Sequence, residues 1–232
     1  MKARRPFARL QCIAAALLLL VAAVPGATAA DDVSGLYDAN GKSPGGKPYQ
    51  GLVQIAPFGN AHAVLWKLSD GEAYKGLALR KDDVLGAAYG TDSVPGLVIY
   101  KIKGGTLEGD WVSGGKGAKM ELGRETLQGP DGLSGEYKIT LGENQDGSTN
   151  YDGKVVIKPD GDSFLLIWLV PKPAYIGRGV RVGDVLVVGF SRDAKKIPGV
   201  VAYRIGSGHA LSGVWATGGS SKTGTEDLTP HK

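Results

Sequence analysis

The stretch VPGLVIYKIKGGTLEGDW, residues 94–111, returns about a hundred residues later as IPGVVAYRIGSGHALSGVW, residues 197–215. Each version places a tyrosine, Tyr100 or Tyr203, among alternating apolar residues and ends in Leu-x-Gly-x-Trp. Side chains alternate between the two faces of a β-strand, and glycine-rich turns separate consecutive strands. Each stretch therefore predicts two short strands joined by a turn, and the chain contains that pair twice.

The repetition extends through the rest of the chain. SGLY (34–37) matches SGEY (134–137), and GRETL (123–127) matches GTEDL (224–228). Between these, YQGLVQI matches YDGKVVI, AVLWKL matches LLIWLV, and YKGLALRKDDVLGAAY matches YIGRGVRVGDVLVVGF. Matches in this order and at a nearly constant offset indicate an internal duplication.

Each copy has the pattern of a small all-β unit. Turn signals such as DGE, GEN and PDGD recur about every ten residues, no helical period follows the leader, and the 37 glycines disfavour helices. We expect about eight antiparallel strands per copy. The sequence predicts two tandem meander β-barrels, at residues 33–128 and 132–229. A single barrel or sandwich completed by both halves is the alternative.

Paired aromatic residues favour closed barrels over open sheets. Most strands carry one ring with a glycine two positions away, as in Tyr49/Gly51 and Gly109/Trp111. The glycine leaves room for a ring from the neighbouring strand to lie over the backbone. A closed barrel also has no edge strands, which an exported sheet without disulfides would otherwise need to protect.

The first 29 residues have the features of a cleaved signal peptide. A basic segment precedes an apolar run at residues 13–24, and Ala27-Thr28-Ala29 provides small residues for cleavage near Ala29. The RRPFAR segment leaves both Sec and twin-arginine export open. Cleavage removes Cys12, the single cysteine, so the mature chain forms no disulfide. We expect a periplasmic or secreted protein with no transmembrane segment.

Removal of the leader also changes the net charge. The leader contains four of the 27 Lys and Arg residues and no acidic residue, leaving 23 basic against 23 acidic side chains. The four are Lys2, Arg4, Arg5 and Arg9. A neutral mature chain lacks the positive field that phosphate binding requires, so no nucleic-acid partner is expected.

These motifs resemble a family of small exported bacterial repeat proteins, common in alphaproteobacteria and labelled fibronectin-binding proteins. The resemblance covers both copies, and the second fits better: YIGRG keeps a glycine where YKGLA has Ala78. It implies binding to fibronectin or another matrix component. The barrel pattern is also loosely similar to avidin-like and lipocalin-like folds, whose barrels hold one ligand.

Two sets of candidate site residues follow from the pattern. Rings at a barrel mouth can stack on a sugar, a lipid or a planar molecule, although packing in the core is the simpler interpretation. The candidate ligand-binding rings are Trp66, Trp111, Trp168, Trp215, Tyr100 and Tyr203. An inward-facing arginine needs a partner, so we also expect one structural Arg–Glu ion pair in each copy. Its members are Arg80 with Glu125 and Arg181 with Glu226.

The leading functional hypothesis is an exported, non-catalytic binding protein with two repeated modules, adhesin-like towards a matrix protein or glycan. The alternative is a periplasmic carrier of a small apolar ligand. No nucleophile motif, zinc-ligand spacing or cofactor signature is present, so no metal or cofactor is expected. An unrecognised enzymatic activity or an inhibitor acting through its loops has less support. The apolar strand at residues 164–170 should be covered on both faces, which predicts packing between the two units or a dimer there.

Overall fold

The computed structural model describes residues 32–90, 95–114, 121–147, 151–171 and 174–232. The leader therefore lies outside the described residues. The residues that the structure describes form sixteen strands and one 3₁₀ turn (Ser207–His209). In chain order the strands are β1 (Gly35–Lys42), β2 (Pro48–Phe58), β3 (Ala61–Leu68), β4 (Ala73–Lys81), β5 (Val84–Gly90), β6 (Gly96–Lys103), β7 (Thr106–Ser113), β8 (Gly123–Gln128), β9 (Gly135–Glu143), β10 (Lys154–Asp160), β11 (Ser163–Leu169), β12 (Tyr175–Val182), β13 (Val185–Ser191), β14 (Gly199–Ile205), β15 (Leu211–Ala216) and β16 (Gly224–Pro230).

The strands form two closed antiparallel barrels of eight strands each, as the sequence predicts. The first barrel runs in the order β1-β16-β15-β14-β5-β4-β3-β2, and the second in the order β10-β11-β12-β13-β6-β7-β8-β9. The two copies have therefore exchanged their last three strands. Strand β6 follows β5 in the chain but pairs with β13, and β14 pairs with β5.

The barrels therefore do not coincide with the boundaries 33–128 and 132–229, which follow the repeat. The copies are equivalent at the exchanged junction, so the exchange keeps the same pairing register. Leu85 lies opposite Tyr203 in one barrel, and Leu186 lies opposite Tyr100 in the same register in the other. Local sequence cannot distinguish these pairings from the pairings within one copy.

Each barrel has its own apolar interior. Val53, Ile55 and Leu228 lie in the first barrel, and Val155, Leu166 and Leu186 in the second. The alternation in YQGLVQI accounts for this arrangement, since every second residue of β2 points inward.

Glycines opposite rings are a second feature that the sequence predicts and the structure confirms. A Cβ on Gly109 would lie 2.5 Å from the Tyr100 ring, and one on Gly213 would lie 2.5 Å from the Tyr203 ring. Real Cβ atoms do not approach carbon this closely. Each tyrosine therefore lies in a space that only glycine leaves open.

A third apolar cluster joins the two barrels. Leu79, Ile99, Val187 and Ala202, from β4, β6, β13 and β14, belong to this cluster and are buried. The contact is close, since a Cβ on Gly86 would lie 2.5 Å from Val187. The outer faces of these strands are therefore covered by the other barrel.

One charged side chain lies within this inter-barrel cluster. Arg178 is 5% exposed. Its Nη1 lies 2.5 Å from Asp160 Oδ2 and 3.0 Å from Ser163 Oγ, and its Nη2 donates to the Gly218 carbonyl of the other barrel at 3.5 Å. The first copy has Leu77 at the equivalent position, and it is buried in the same cluster.

The apolar strand at residues 164–170 does not join the barrels. Phe164 packs inside the second barrel, whereas Leu169 is 50% exposed on its outer face. The interpretation that the two units pack through this strand is therefore wrong, because β12 and β13 supply that face instead. A dimer through this strand stays a prediction.

Candidate functional site

Five aromatic residues surround the mouth of the second barrel. Phe190 lies at their centre, with its ring centroid 6.4 Å from Trp111, 5.7 Å from Trp168 and 5.6 Å from Tyr175. Tyr151 packs edge-to-face on Trp111 at 6.5 Å. Such tilted and edge-on contacts are the favoured geometry between aromatic rings. We call this group, with Tyr100 and Glu125 beneath it, the second cup.

The first barrel has the equivalent first cup. Tyr89 replaces Phe190 at the centre, 5.7 Å from Trp66 and 5.5 Å from Tyr74, and Tyr49 lies 6.1 Å from Trp215. Tyr203 and Glu226 lie beneath these rings. The strand exchange therefore rebuilds the same set of residue positions in both barrels, four rings from one copy and two rings with a glutamate from the other.

A buried glutamate forms the floor of the second cup. Glu125, on β8, is 2% exposed. Its Oε2 accepts hydrogen bonds from the Tyr100 hydroxyl and from Trp168 Nε1 at 3.1 Å, and its Oε1 accepts one from the Tyr151 hydroxyl at 2.9 Å. Three strands and the segment before β10 therefore converge on one carboxylate.

The same arrangement recurs in the first cup. Glu226, on β16, is 4% exposed. Its Oε1 accepts hydrogen bonds from the Tyr203 hydroxyl and from Trp66 Nε1 at 3.1 Å, and its Oε2 accepts one from the Tyr49 hydroxyl at 3.0 Å. A site repeated in both barrels down to the atoms involved is a structural unit of the fold.

Burial determines the protonation of these groups. Burial raises the pKa of Glu125 and of Glu226, and the hydrogen bonds from the tyrosines and the tryptophan oppose that rise. Burial and the adjacent carboxylate raise the pKa of Tyr100 and Tyr203 well above the ordinary value, so both stay neutral donors.

The predicted Arg–Glu ion pairs do not form among the described residues. The exchange places Arg80 and Glu125 in different barrels, and likewise Arg181 and Glu226. Both arginines lie at the ends of their strands and are exposed, and the Nε of each donates to a backbone carbonyl two residues on. The glutamates take tyrosine and tryptophan donors instead.

An open cleft of about 1310 Å³ leads into the second cup. It reaches Tyr74 and Tyr89 of the first barrel, and Arg192 and Lys196 lie on its rim. A smaller cavity of about 340 Å³ occupies the first cup and shares Tyr74 and Tyr89 with the large cleft. The two cups therefore open side by side.

All six predicted ligand-binding rings line these cavities, three in each barrel. Trp66, Tyr203 and Trp215 belong to the first cup, and Trp168, Tyr100 and Trp111 to the second. Trp111 and Trp215 are half-buried at the mouths, whereas the other four are buried and hydrogen-bonded to a glutamate or adjacent to it.

Sequence reasoning did not single out the remaining cup residues. Tyr151, Tyr175 and Phe190, with their equivalents in the first cup, belong to the paired aromatic set, and that pairing was the available signal. Arg192 gives no such signal, although its Cζ lies 5.4 Å from the Tyr175 ring centroid and its Nη2 donates to the Tyr175 hydroxyl at 3.1 Å.

Each cup combines ring faces, one carboxylate and neutral donors that are already engaged. Within the described residues, no group of three or more His, Cys, Asp or Glu side chains could hold a metal ion. No helix formed by these residues is long and apolar enough to cross a membrane.

No protein-family model and no curated protein matches this chain. The cups themselves are therefore the basis for a functional proposal.

Proposed function

We propose that this chain is a non-catalytic binding protein that takes a small ligand into the aromatic cups of its two barrels. The open cleft at the second cup, with its half-buried rings and its buried carboxylate, is the observation that carries the proposal. Ligand sites in proteins are typically concave, mostly apolar, and supplied with a few fixed polar groups. The leader-like residues 1–29 support action outside the cytoplasm, in the periplasm or after secretion.

Binding within the cups is better supported than recognition of a matrix protein by strand addition. Extended peptides add to a sheet through unpaired backbone groups at an edge. Every described strand of both barrels is paired on both sides. A glycan or a small molecule with an apolar body requires no free edge, and the rings at the mouth match such a ligand.

Intrinsic fluorescence offers a direct test, because all four tryptophans of the chain belong to the cups. The full-length mature protein would be titrated with a panel of soluble glycans, fatty acids and small aromatic and amine-bearing molecules. Binding should shift the tryptophan emission, and native mass spectrometry should detect the complex. Absence of both signals across the panel would contradict the proposal.

A matched pair of variants would locate the response. Tyr175→Ala removes a half-buried ring from the second cup, whereas Phe58→Ala removes an exposed ring that lines neither cavity. We expect weaker binding only in the Tyr175 variant. Equal loss in both variants would place the binding outside the cups.

A further inference from the structure

The glutamates of the cups lack a counter-charge. Glu125 and Glu226 are almost wholly buried, and the groups that act on the pKa of either carboxylate include no lysine, arginine or histidine among the described residues. Buried charges in proteins are normally paired or bound to a metal, because an isolated charge is costly away from water. Each cup therefore holds a buried carboxylate with no positively charged side chain beside it among the described residues.

The hydrogen-bond donors in the cup do not supply that charge. Tyr100, Tyr151 and Trp168 are neutral and contribute only dipoles to Glu125. Each carboxylate oxygen has about two acceptor positions. Oε2 uses two, whereas Oε1 accepts a single side-chain hydrogen bond, from Tyr151. The floor of the cup retains acceptor capacity as well as negative charge.

The aromatic walls of the cup also favour a positively charged ligand. Aromatic ring faces carry negative potential and attract cations within about 6 Å of the ring centroid. The second cup already shows one such contact, because the Arg192 guanidinium lies 5.4 Å from the Tyr175 centroid. That arginine occupies the rim and does not reach Glu125.

We propose that each cup binds a small organic cation, a quaternary or protonated amine on an apolar body, with the charge directed at Glu125 or Glu226 and the body against the rings. This inference rests on the proposed function and names its ligand class. The rim carries charges of both signs, with Arg192, Lys196 and Asp152 around the large cleft. Salt screens these exposed charges more than it screens the buried carboxylate. The glutamate therefore decides which sign of charge the ligand carries.

Calorimetric titration of the full-length mature protein with choline and with 3,3-dimethylbutan-1-ol tests the proposal. The two probes have nearly the same shape and differ in charge. We expect choline to bind at least about tenfold more tightly than the neutral alcohol. Equal binding of both, or tighter binding of the alcohol, would overturn the inference.

Two variants assign the sites. Glu125→Gln should remove choline binding from the second cup, and Glu226→Gln from the first, while Phe58→Ala should change neither. Thermal melting would confirm that each variant folds. Where a variant fails to fold, the comparison of the two probes on the unaltered protein decides alone. Undiminished choline affinity in folded glutamine variants would contradict the role of the carboxylates.

Two kinds of molecule carry such a cation, a free amine and a lipid with an amine headgroup. Co-sedimentation with phosphatidylcholine vesicles, competed by choline, would identify the headgroup, whereas binding of free choline alone would identify a soluble amine. Both results support the inference. A fluorescence response to a glycan or a neutral molecule, with none to choline, would leave the proposed function standing and reject the cation. No response to any probe would reject both.

Discussion

Replacement of Gly109 by alanine is a direct test of how the barrels are built. The added Cβ would lie 2.5 Å from Tyr100 Cδ1, 2.6 Å from Cε1 and 3.2 Å from Val98 Cγ2. The Tyr100 ring is held in position, because it is fully buried and its hydroxyl is hydrogen-bonded to Glu125. The backbone or the ring must shift, and either movement disturbs the floor of the second cup.

The expected cost follows from the behaviour of overpacked cores. Inserting a methyl group into a well-packed interior typically costs about 1–3 kcal/mol in the free energy of unfolding. For a chain of this size that corresponds to a fall of roughly 2–12 °C in Tm. Thermal and chemical denaturation followed by circular dichroism would measure both quantities, with the Gly213 variant expected to behave alike in the other barrel.

Gly132→Ala is the matched control. This exposed glycine lies in the connection from β8 to β9, and an added Cβ there meets nothing within 4 Å. We expect no loss of stability, since the unfolded chain loses entropy and the folded chain gains no clash. A Gly109 variant as stable as this control would refute the idea that glycines create the space for the rings.

Three further predictions concern the glutamates, the inter-barrel arginine and the strand exchange. Because burial raises the pKa of Glu125 and Glu226 above the ordinary value of 4.5, their contribution to stability is complete below that value and is lost as the pH rises through the raised pKa. Melting curves should thus show stability rising as the pH falls through the raised pKa of these groups, a gain that is absent from the double glutamine variant. Arg178→Leu, which installs the residue that the first copy has as Leu77, should be neutral or stabilising, because it removes a buried charge while the partner that remains, Asp160, is 44% exposed and stays solvated. A loss of more than about 1.5 kcal/mol in urea denaturation would instead show that Arg178 stabilises the fold through its bonds to Asp160, Ser163 and the Gly218 carbonyl. The first copy alone, residues 33–128, should form a dimer in size-exclusion chromatography and light scattering, because two molecules can rebuild both barrels by exchange. A folded monomer would show that β5 and β6 pair within one copy.

The barrels were predictable because their determinants are local. Alternation in β2 places Val53 and Ile55 inside, and glycines such as Gly109 mark the positions that rings cover. Both signals lie within a few residues of each other in the sequence. The sequence therefore predicts the strand type, the barrel closure and six of the twelve cup rings.

The exchange was not predictable for a physical reason. The segment that pairs with β5 could be β6 or its duplicate β14, and both present the same residue types in the same register. A choice between two equivalent partners depends on how the connecting segments run and on the packing of the whole molecule. No local pattern reports either quantity.

The environment of the glutamates was predicted wrongly for a related reason. Arg80 shares a strand face with Tyr74 and Gly76, which suggested an inward-facing charge and a partner in Glu125. The face was assigned correctly, but β4 ends at Lys81, so Arg80 extends past the end of the barrel into solvent. An inward-facing residue is buried only if it lies away from the ends of its strand. The alternation of side chains shows which face a residue lies on, but not where the barrel ends.

The crossed connectivity also restricts how the two halves can diverge over time. Each cup combines four rings of one half with two rings and a glutamate of the other. A substitution in the last three strands of one half therefore changes the pocket formed mainly by the other half. Each half therefore contributes to both pockets, so the two duplicates constrain one another's divergence more than independent modules would.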